Sequence, residues 1–381
     1  MTTAPSAPIH GVCDPAFREV RAAFEENFVS RGEVGAACCV VIGERTVVDL
    51  VGGWADEART RPWKSDTMVN FYSAGKALLA LVALQLVDAG VLDLDAPITD
   101  VWPEFGSGGK QTATLRHALT HRAGVPAIRR RLTDDDLWHW DRMAEALADT
   151  PAWYEPGSRI TYHTNTFGHL VGEIVRRATG QLPGEHLRRI AAPLDADLWW
   201  GVPIDLQQRC ADVIWAPATP TPALDLDALD DATYLVFGGY FNPPGYSSQG
   251  VVNTAAWRSA QVPSTNGHGT ATGLARLYRA LVTPDRLLSV GLLDEATRVQ
   301  ASGPCPVLGE DIAVGLGFVP TSERRPLGTN PRSFGHFGTG GALGFGDPDA
   351  QLGFGYVMNH VVPRWQSTRN RSLVDAVYAA L

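Results

Sequence analysis

Residues 73–90 read SAGKALLALVALQLVDAG, a serine and a lysine one turn apart at the head of an apolar run that stops at a glycine. The run predicts a helix from Gly75 to Ala89, ended by Gly90, the usual helix-stop residue. A serine at the helix start with a lysine three residues on places Ser73 and Lys76 on one face. A serine hydroxyl is a weak nucleophile and needs an adjacent base. The helix N-terminus offers positive potential and free N–H groups near Ser73. That field, with partial burial, disfavours a protonated lysine and suits it to act as the base. The chain has only three lysines, Lys64, Lys76 and Lys110, and otherwise carries positive charge on arginine, which cannot give up its proton.

The tetrapeptide by itself says little, because Ser107-Gly108-Gly109-Lys110 repeats the spacing. There two glycines oppose a helix and no apolar periodicity follows, so the segment reads as a flexible loop. Support for Ser73 comes from further along the chain. Residues 157–164 (GSRITYHT) place Tyr162 just before a helix start, where its phenol could relay protons to Lys76 or to a leaving group; a core tyrosine with a hydrogen-bonded hydroxyl is the plainer alternative. Residues 335–341 (GHFGTGG) are glycine-rich and let backbone approach a substrate closely. An N–H there, paired with that of Ser73, would form an oxyanion hole; a glycine-rich turn holding His336 as a strand residue is the alternative. No GxSxG, HExxH or Walker loop is present.

Outward from these motifs, residues 14–31 read as an amphipathic helix and residues 36–42 and 46–51 as a β-hairpin. Residues 66–71 continue as strand or loop. Helical segments follow at 115–121, 134–148, 166–179 and 182–190. A Pro-rich stretch up to Pro222, followed by acidic residues 225–231, reads as a surface loop. Strand signals return at 315–319, 333–337, 342–345 and 352–358, before a last helix at 367–381. Strands at both ends with helices between suggest one sheet built from the two ends of the chain.

A net charge of −9 argues against nucleic-acid and anionic-lipid partners. Arg129, Arg130 and Arg131 are answered by Asp134, Asp135 and Asp136, a self-neutralising surface. No run of 18 apolar residues could span a membrane, and the N-terminus lacks the pattern of a secretory leader. The five cysteines, odd in number and without CxxC spacing, predict reduced thiols rather than disulfides or a zinc site. A cytoplasmic protein is expected.

Taken in order, the motifs resemble those of the serine β-lactamase-related hydrolases, a family that includes class C β-lactamases, DD-peptidases and, most similar here, family VIII carboxylesterases. Ser73-Ala74-Gly75-Lys76 matches the family's SxxK, Tyr162 opens its second motif, and His336-Phe337-Gly338 matches its K-T-G or H-x-G motif. Residues 119–126 (LTHRAGVP) look like the family's LLTHTSGLP, and residues 267–271 (GHGTA) look like the esterase branch. The resemblance covers nearly the whole chain, from residue 35 to the final helix. It implies an α/β (α+β) fold: an antiparallel β-sheet flanked by helices, formed by residues 1–76 and 245–381, with a mostly helical second domain at 77–244 and the site between them. It implies that Ser73 is acylated, that Lys76 and Tyr162 share general base and acid work, that the N–H groups of Ser73 and Thr339 hold the oxyanion, and that His336 and Gly338 belong with them to the oxyanion and substrate-binding set. No cofactor or metal is implied.

Two departures matter. The family's Tyr-x-Asn has Thr164 at its third position, with Asn165 one residue late. His336 replaces a lysine that would help hold a carboxylate, and neutral histidine is a poorer anion partner near pH 7. Both tilt the expectation toward a carboxylesterase acting on a small-molecule ester or amide. The alternatives are a β-lactamase, a D-amino-acid amidase or peptidase, or an acyltransferase; a non-catalytic penicillin-recognition-like protein fits less well. A homo-oligomer is left open. Trp138, Trp140, Trp153, Trp199, Trp200, Tyr240 and Phe241 are candidates to line an apolar pocket.

Overall fold

The computed structural model describes residues 7–216, 225–362 and 366–381; the Pro-rich stretch to Pro222 lies largely outside them. Its main sheet has seven strands: β1 Ile9–Cys13, β2 Gly35–Ile42, β3 Arg45–Gly53, β4 Val319–Pro320, β5 Phe334–Phe337, β6 Leu343–Asp347 and β7 Leu352–Met358. They lie in the order β1-β3-β2-β7-β6-β5-β4, and every neighbouring pair is antiparallel. The hairpin β2–β3 is therefore joined edge to edge with the C-terminal strands, as the strand pattern at the two chain ends implied.

The sequences of β6 and β7, LGFGD and LGFGY, explain how helices pack on this sheet. Alternate residues of a strand face opposite sides. Gly344, Gly346, Gly353 and Gly355 face the helix Ala271–Leu281 and its end, and a Cβ on Gly355 would sit 2.0 Å from the carbonyl oxygen of Ala271. Only glycine allows that approach. On the other face Phe345 and Phe354 pair across the strands, with ring centroids 4.9 Å apart. That face is covered by the helix Arg18–Ser30, whose Phe28 meets Gly52, and by the C-terminal helix Thr368–Tyr378 packed beside it.

The helix Gly75–Asp88 is apolar almost all round and buried through its first ten residues, as a helix enclosed by protein must be. It packs against the helices Thr166–Thr179 and Pro183–Ala191 and also against strand β5. The residues that follow Ser73 thus join the sheet to the helices.

Several elements differ from expectation. Residues 315–319 form a turn, with Gly317 at φ 76°, and only Val319–Pro320 pairs as strand. The acidic segment becomes a 3₁₀ turn, Leu226–Ala228, and a helix, Asp231–Phe241, capped by the Asp230 side chain. Strand β1, the helix Ala271–Leu281, the helix Val290–Thr297 and a hairpin of Ala301–Cys305 with Glu310–Val314 were not anticipated. No helix among the described residues is long and apolar enough to cross a membrane.

Candidate active site

Ser73 sits in a 3₁₀ turn, Tyr72–Ala74, directly ahead of the helix Gly75–Asp88. The preceding residue, Tyr72, has φ 53°, an uncommon conformation for a bulky side chain. The short strand Val69–Asn70 holds this turn from behind by pairing with His268–Gly269. Here the 267–271 motif finds its role. Gly267 and Gly269 make room for the Phe71 ring, and a Cβ on Gly267 would lie 2.1 Å from it. His268 is buried and its Nδ1 bonds the Asn266 carbonyl, so it is scaffold.

Lys76 is fully buried. Its Nζ lies 2.9 Å from Ser73 Oγ and donates to the Ser264 carbonyl oxygen, also at 2.9 Å. Burial pushes the Lys76 pKa well below the usual lysine value. A neutral amine has one lone pair. With an N–H committed to Ser264, that lone pair is free to accept the proton of Ser73. Ser264 escaped the sequence reading because it contributes a backbone carbonyl, which leaves no residue signature. Its side chain has a separate task, accepting from Gly168 N and donating to the Asn165 carbonyl.

Tyr162 is buried, with the Lys76 ammonium position 5.1 Å from its ring centroid. Burial holds its phenol well above the usual range, opposed by a hydrogen bond with the Ser73 side chain. Its backbone N–H donates to Cys305 Sγ, and its ring packs in a small cluster with Ile160, Cys305, Ile312 and Val314. The unanticipated hairpin therefore forms Tyr162's packing wall.

The second SxxK is a different object. Gly108 and Gly109 take φ 62° and 87°, so no helix forms there. Lys110 is buried and donates to the carbonyls of Ser107, Ala148 and Thr150, while Ser107 Oγ bonds Ala148 O. The loop expected to be flexible is anchored by its own lysine.

Ser73 opens into a cavity of about 570 Å³, also lined by Thr339, Thr164, Asn165, Tyr240 and Phe241. Tyr72 and Trp215 add aromatic surface that was not foreseen. Trp138, Trp140, Trp153, Trp199 and Trp200 are elsewhere: Trp140 donates to Glu173, Trp153 stacks on Tyr234, and Trp199 lies under Arg188. Asn165 reaches the cavity, but its side-chain NH₂ is used on Gly239 O, Tyr240 O and Ser247 Oγ.

Thr339 begins the turn Thr339–Gly341. Gly338 stands behind the cavity wall, against the nucleophile segment, where a Cβ would meet Phe71 O at 2.1 Å. It is a spacer that lets the third motif approach Ser73. His336 is likewise buried behind the wall, its Nδ1 2.8 Å from Phe337 O. Neither residue is among those that line the cavity. Among the described residues no cluster of His, Cys, Asp and Glu is arranged to hold a metal.

Three buried histidines surround Lys76 and Tyr162. His121 has its ring 4.5 Å from the Tyr162 ring, and its Nδ1 accepts from His163 N–H. Burial holds His336 at about 3. Burial holds His163 at about 4 and pushes His121 well below its usual value. All three are neutral at pH 7. Unfolding returns them to about 6.5, so between that value and about 4 the unfolded chain binds more protons and stability falls with falling pH. Thermal melts from pH 7.5 down to 5 are expected to show a steadily dropping midpoint; a midpoint that rises on acidification contradicts this burial.

A protein-family model described as Beta-lactamase matches residues 20–379. Esterase/beta-lactamase LipL of Mycobacterium tuberculosis is 33% identical over 368 residues, covering 93% of this chain and 83% of that protein. The crystal structure of a family VIII carboxylesterase superposes with a TM-score of 0.89 at 35% identity, covering 98% of this chain and 100% of the other. A penicillin-binding protein homologue from Caulobacter crescentus gives a TM-score of 0.89 at 36% identity, with the same coverage. The fold, the ordered motifs and a match spanning almost every residue agree: this chain belongs to the β-lactamase family of serine hydrolases.

Proposed function

We propose that the protein is a serine carboxylesterase working through an acyl-enzyme on Ser73. The observation that carries this is the buried Lys76, held between Ser73 Oγ and the Ser264 carbonyl with its neutral form favoured. In this reading Lys76 takes the Ser73 proton as Oγ attacks the ester carbonyl. The N–H groups of Ser73 and Thr339 receive the oxyanion. Tyr162, whose phenol stays protonated, passes a proton to the departing alcohol oxygen and draws its replacement from Lys76. Water then enters and the same groups run in reverse to release the acid.

Relatives support ester chemistry. Esterase EstB of Burkholderia gladioli is 32% identical over 203 residues, about half of each chain. Thr164 in place of the family asparagine, and Asn165 committed to the 239–247 segment, also weaken a lactam-amide subsite. We further read residues 1–76 with 245–381 as one domain and 77–244 as the other, a division supported by the main sheet, all seven strands of which come from the first set. Five free thiols, four of them buried, support a cytoplasmic setting.

Stopped-flow hydrolysis of p-nitrophenyl butyrate tests the function. A burst of p-nitrophenol equal to the enzyme concentration is expected whenever deacylation limits turnover, and Ser73→Ala should lose both burst and turnover. Unchanged turnover in that variant overturns the reading.

A further inference from the structure

One wall of the cavity carries charge that the proposed reaction does not use. Glu310 opens the second strand of the small hairpin, and Arg324 and Arg325 come from the segment ahead of strand β5; all three line the cavity that holds Ser73. Both arginines pair with Glu310 through Nη2. Two guanidinium groups against one carboxylate leave one positive charge, and the other described lining residues are uncharged. The cleft is therefore cationic in a chain of net charge −9. A partly enclosed cleft focuses such a field and concentrates anions at its mouth.

The two arginines are placed differently. Arg325 has a side chain only 15% exposed and lines the cavity together with Ser73, paired with Glu310 at the start of the strand whose Ile312 and Val314 pack on Tyr162. The Arg324 side chain is 67% exposed and stands in reach of solvent. A guanidinium presents five N–H donors in a planar fork that suits a carboxylate, so one acidic partner does not exhaust it. Tyr162 serves the departing alcohol in the mechanism above, and the strand Glu310–Val314 that pairs with both arginines also packs on Tyr162, which sets the arginine pair on the alcohol side of the ester. Tyr72, Trp215, Tyr240 and Phe241 supply flat apolar surface in the same cavity, suited to a ring or hydrocarbon body.

We propose that Arg324 and Arg325 form a carboxylate subsite, and that the preferred substrates are esters whose alcohol part bears a free carboxylate on an apolar or aromatic body. This rests on the ester-hydrolase reading. The alternative is that the arginines only staple the hairpin to the loop, in which case substrate charge has no effect.

The test uses two esters of equal size, 3-acetoxybenzoate and 3-acetoxybenzamide. The amide is the better-activated leaving group, so intrinsic reactivity does not favour the anion. The wild-type protein is expected to prefer the benzoate by about tenfold in kcat/KM, from a charge-assisted contact, with the preference shrinking at high salt. The ratio should fall partway in Arg324→Gln and toward one in the double variant Arg324→Gln/Arg325→Gln, whatever the absolute rates become. Arg332→Gln, an exposed arginine outside the cavity, should leave the ratio unchanged. Equal kcat/KM for the two esters in the wild type, or a preference that survives in the double variant, overturns the proposal. If neither ester is hydrolysed, the esterase reading is what fails, and calorimetry with 3-hydroxybenzoate and 3-hydroxybenzamide still decides the subsite. Saturable binding of the anion that is lost in the double variant supports it, and equal or absent binding of the two overturns it.

Discussion

Lys76→Met is expected to reduce kcat/KM toward p-nitrophenyl butyrate by at least about a thousandfold, because it removes the base and the proton store for Tyr162 together. The same change should leave the protein folded. Methionine fills nearly the same space, and Lys76 is buried with Ser73 Oγ and the Ser264 carbonyl, but no carboxylate, as partners of its Nζ among the described residues. The variant gives up hydrogen bonds to Ser73 Oγ and to the Ser264 carbonyl, about 1 kcal/mol each, and gains by no longer burying an amine. A melting temperature within about 4 °C of wild type is expected from terms of that size. Loss of activity with an intact melting curve separates a catalytic lysine from a structural one. Activity within tenfold of wild type would remove Lys76 from the mechanism.

Arg369→Met should have the largest effect on stability. Glu33 and Arg369 are both nearly inaccessible; Arg369 Nη1 donates to Glu33 Oε1 at 2.7 Å and to the His360 carbonyl at 3.1 Å, and Tyr356 OH donates to the same carboxylate. The cluster ties the C-terminal helix to strand β7 and to the turn after the helix Arg18–Ser30. Removing one partner leaves the other charge buried and unanswered, which typically costs about 3–5 kcal/mol. Replacing both, as Glu33→Gln with Arg369→Met, should recover part of that loss. Urea unfolding of the four proteins in a double-mutant cycle reads the coupling directly. Additive losses would mean that the two side chains do not depend on each other.

What the sequence made legible follows from how local each signal is. The helix after Ser73 was readable because its apolar run is unbroken from Ala77 to Leu84 and closes at Gly90, which takes φ 68° in the structure. The strand Leu352–Met358 and the helix Thr166–Thr179 were readable for similar reasons. Strand β1 was not: its middle three residues are exposed and it pairs at the sheet edge, so no alternation marks it. The strand Ala301–Cys305 contains Gly303 and Pro304 and exists through its pairing with Glu310–Val314, a tertiary fact that opposes local propensity.

The site divides in the same way. Ser73, Lys76 and Tyr162 were found because each sits in a short motif, and the structure brings all three together. Gly338 and His336, expected at the substrate, lie behind the cavity wall instead, Gly338 against the segment that carries Ser73. The wall itself was mostly illegible. Arg324, Arg325 and Glu310 meet only after the hairpin folds over Tyr162, and nothing in their separate segments announces the encounter.

Of the serines in the two SxxK tetrapeptides, Ser73 and not Ser107 is expected to carry the acyl group. The direct measurement is peptide-mapped mass spectrometry of protein quenched in acid during turnover of p-nitrophenyl butyrate. The predicted result is a butyryl group on the peptide containing Ser73, absent in Ser73→Ala, with the Ser107 peptide unmodified. A butyryl group on Ser107, or steady turnover with no acyl group trapped on Ser73 even when deacylation is slowed, would contradict the account.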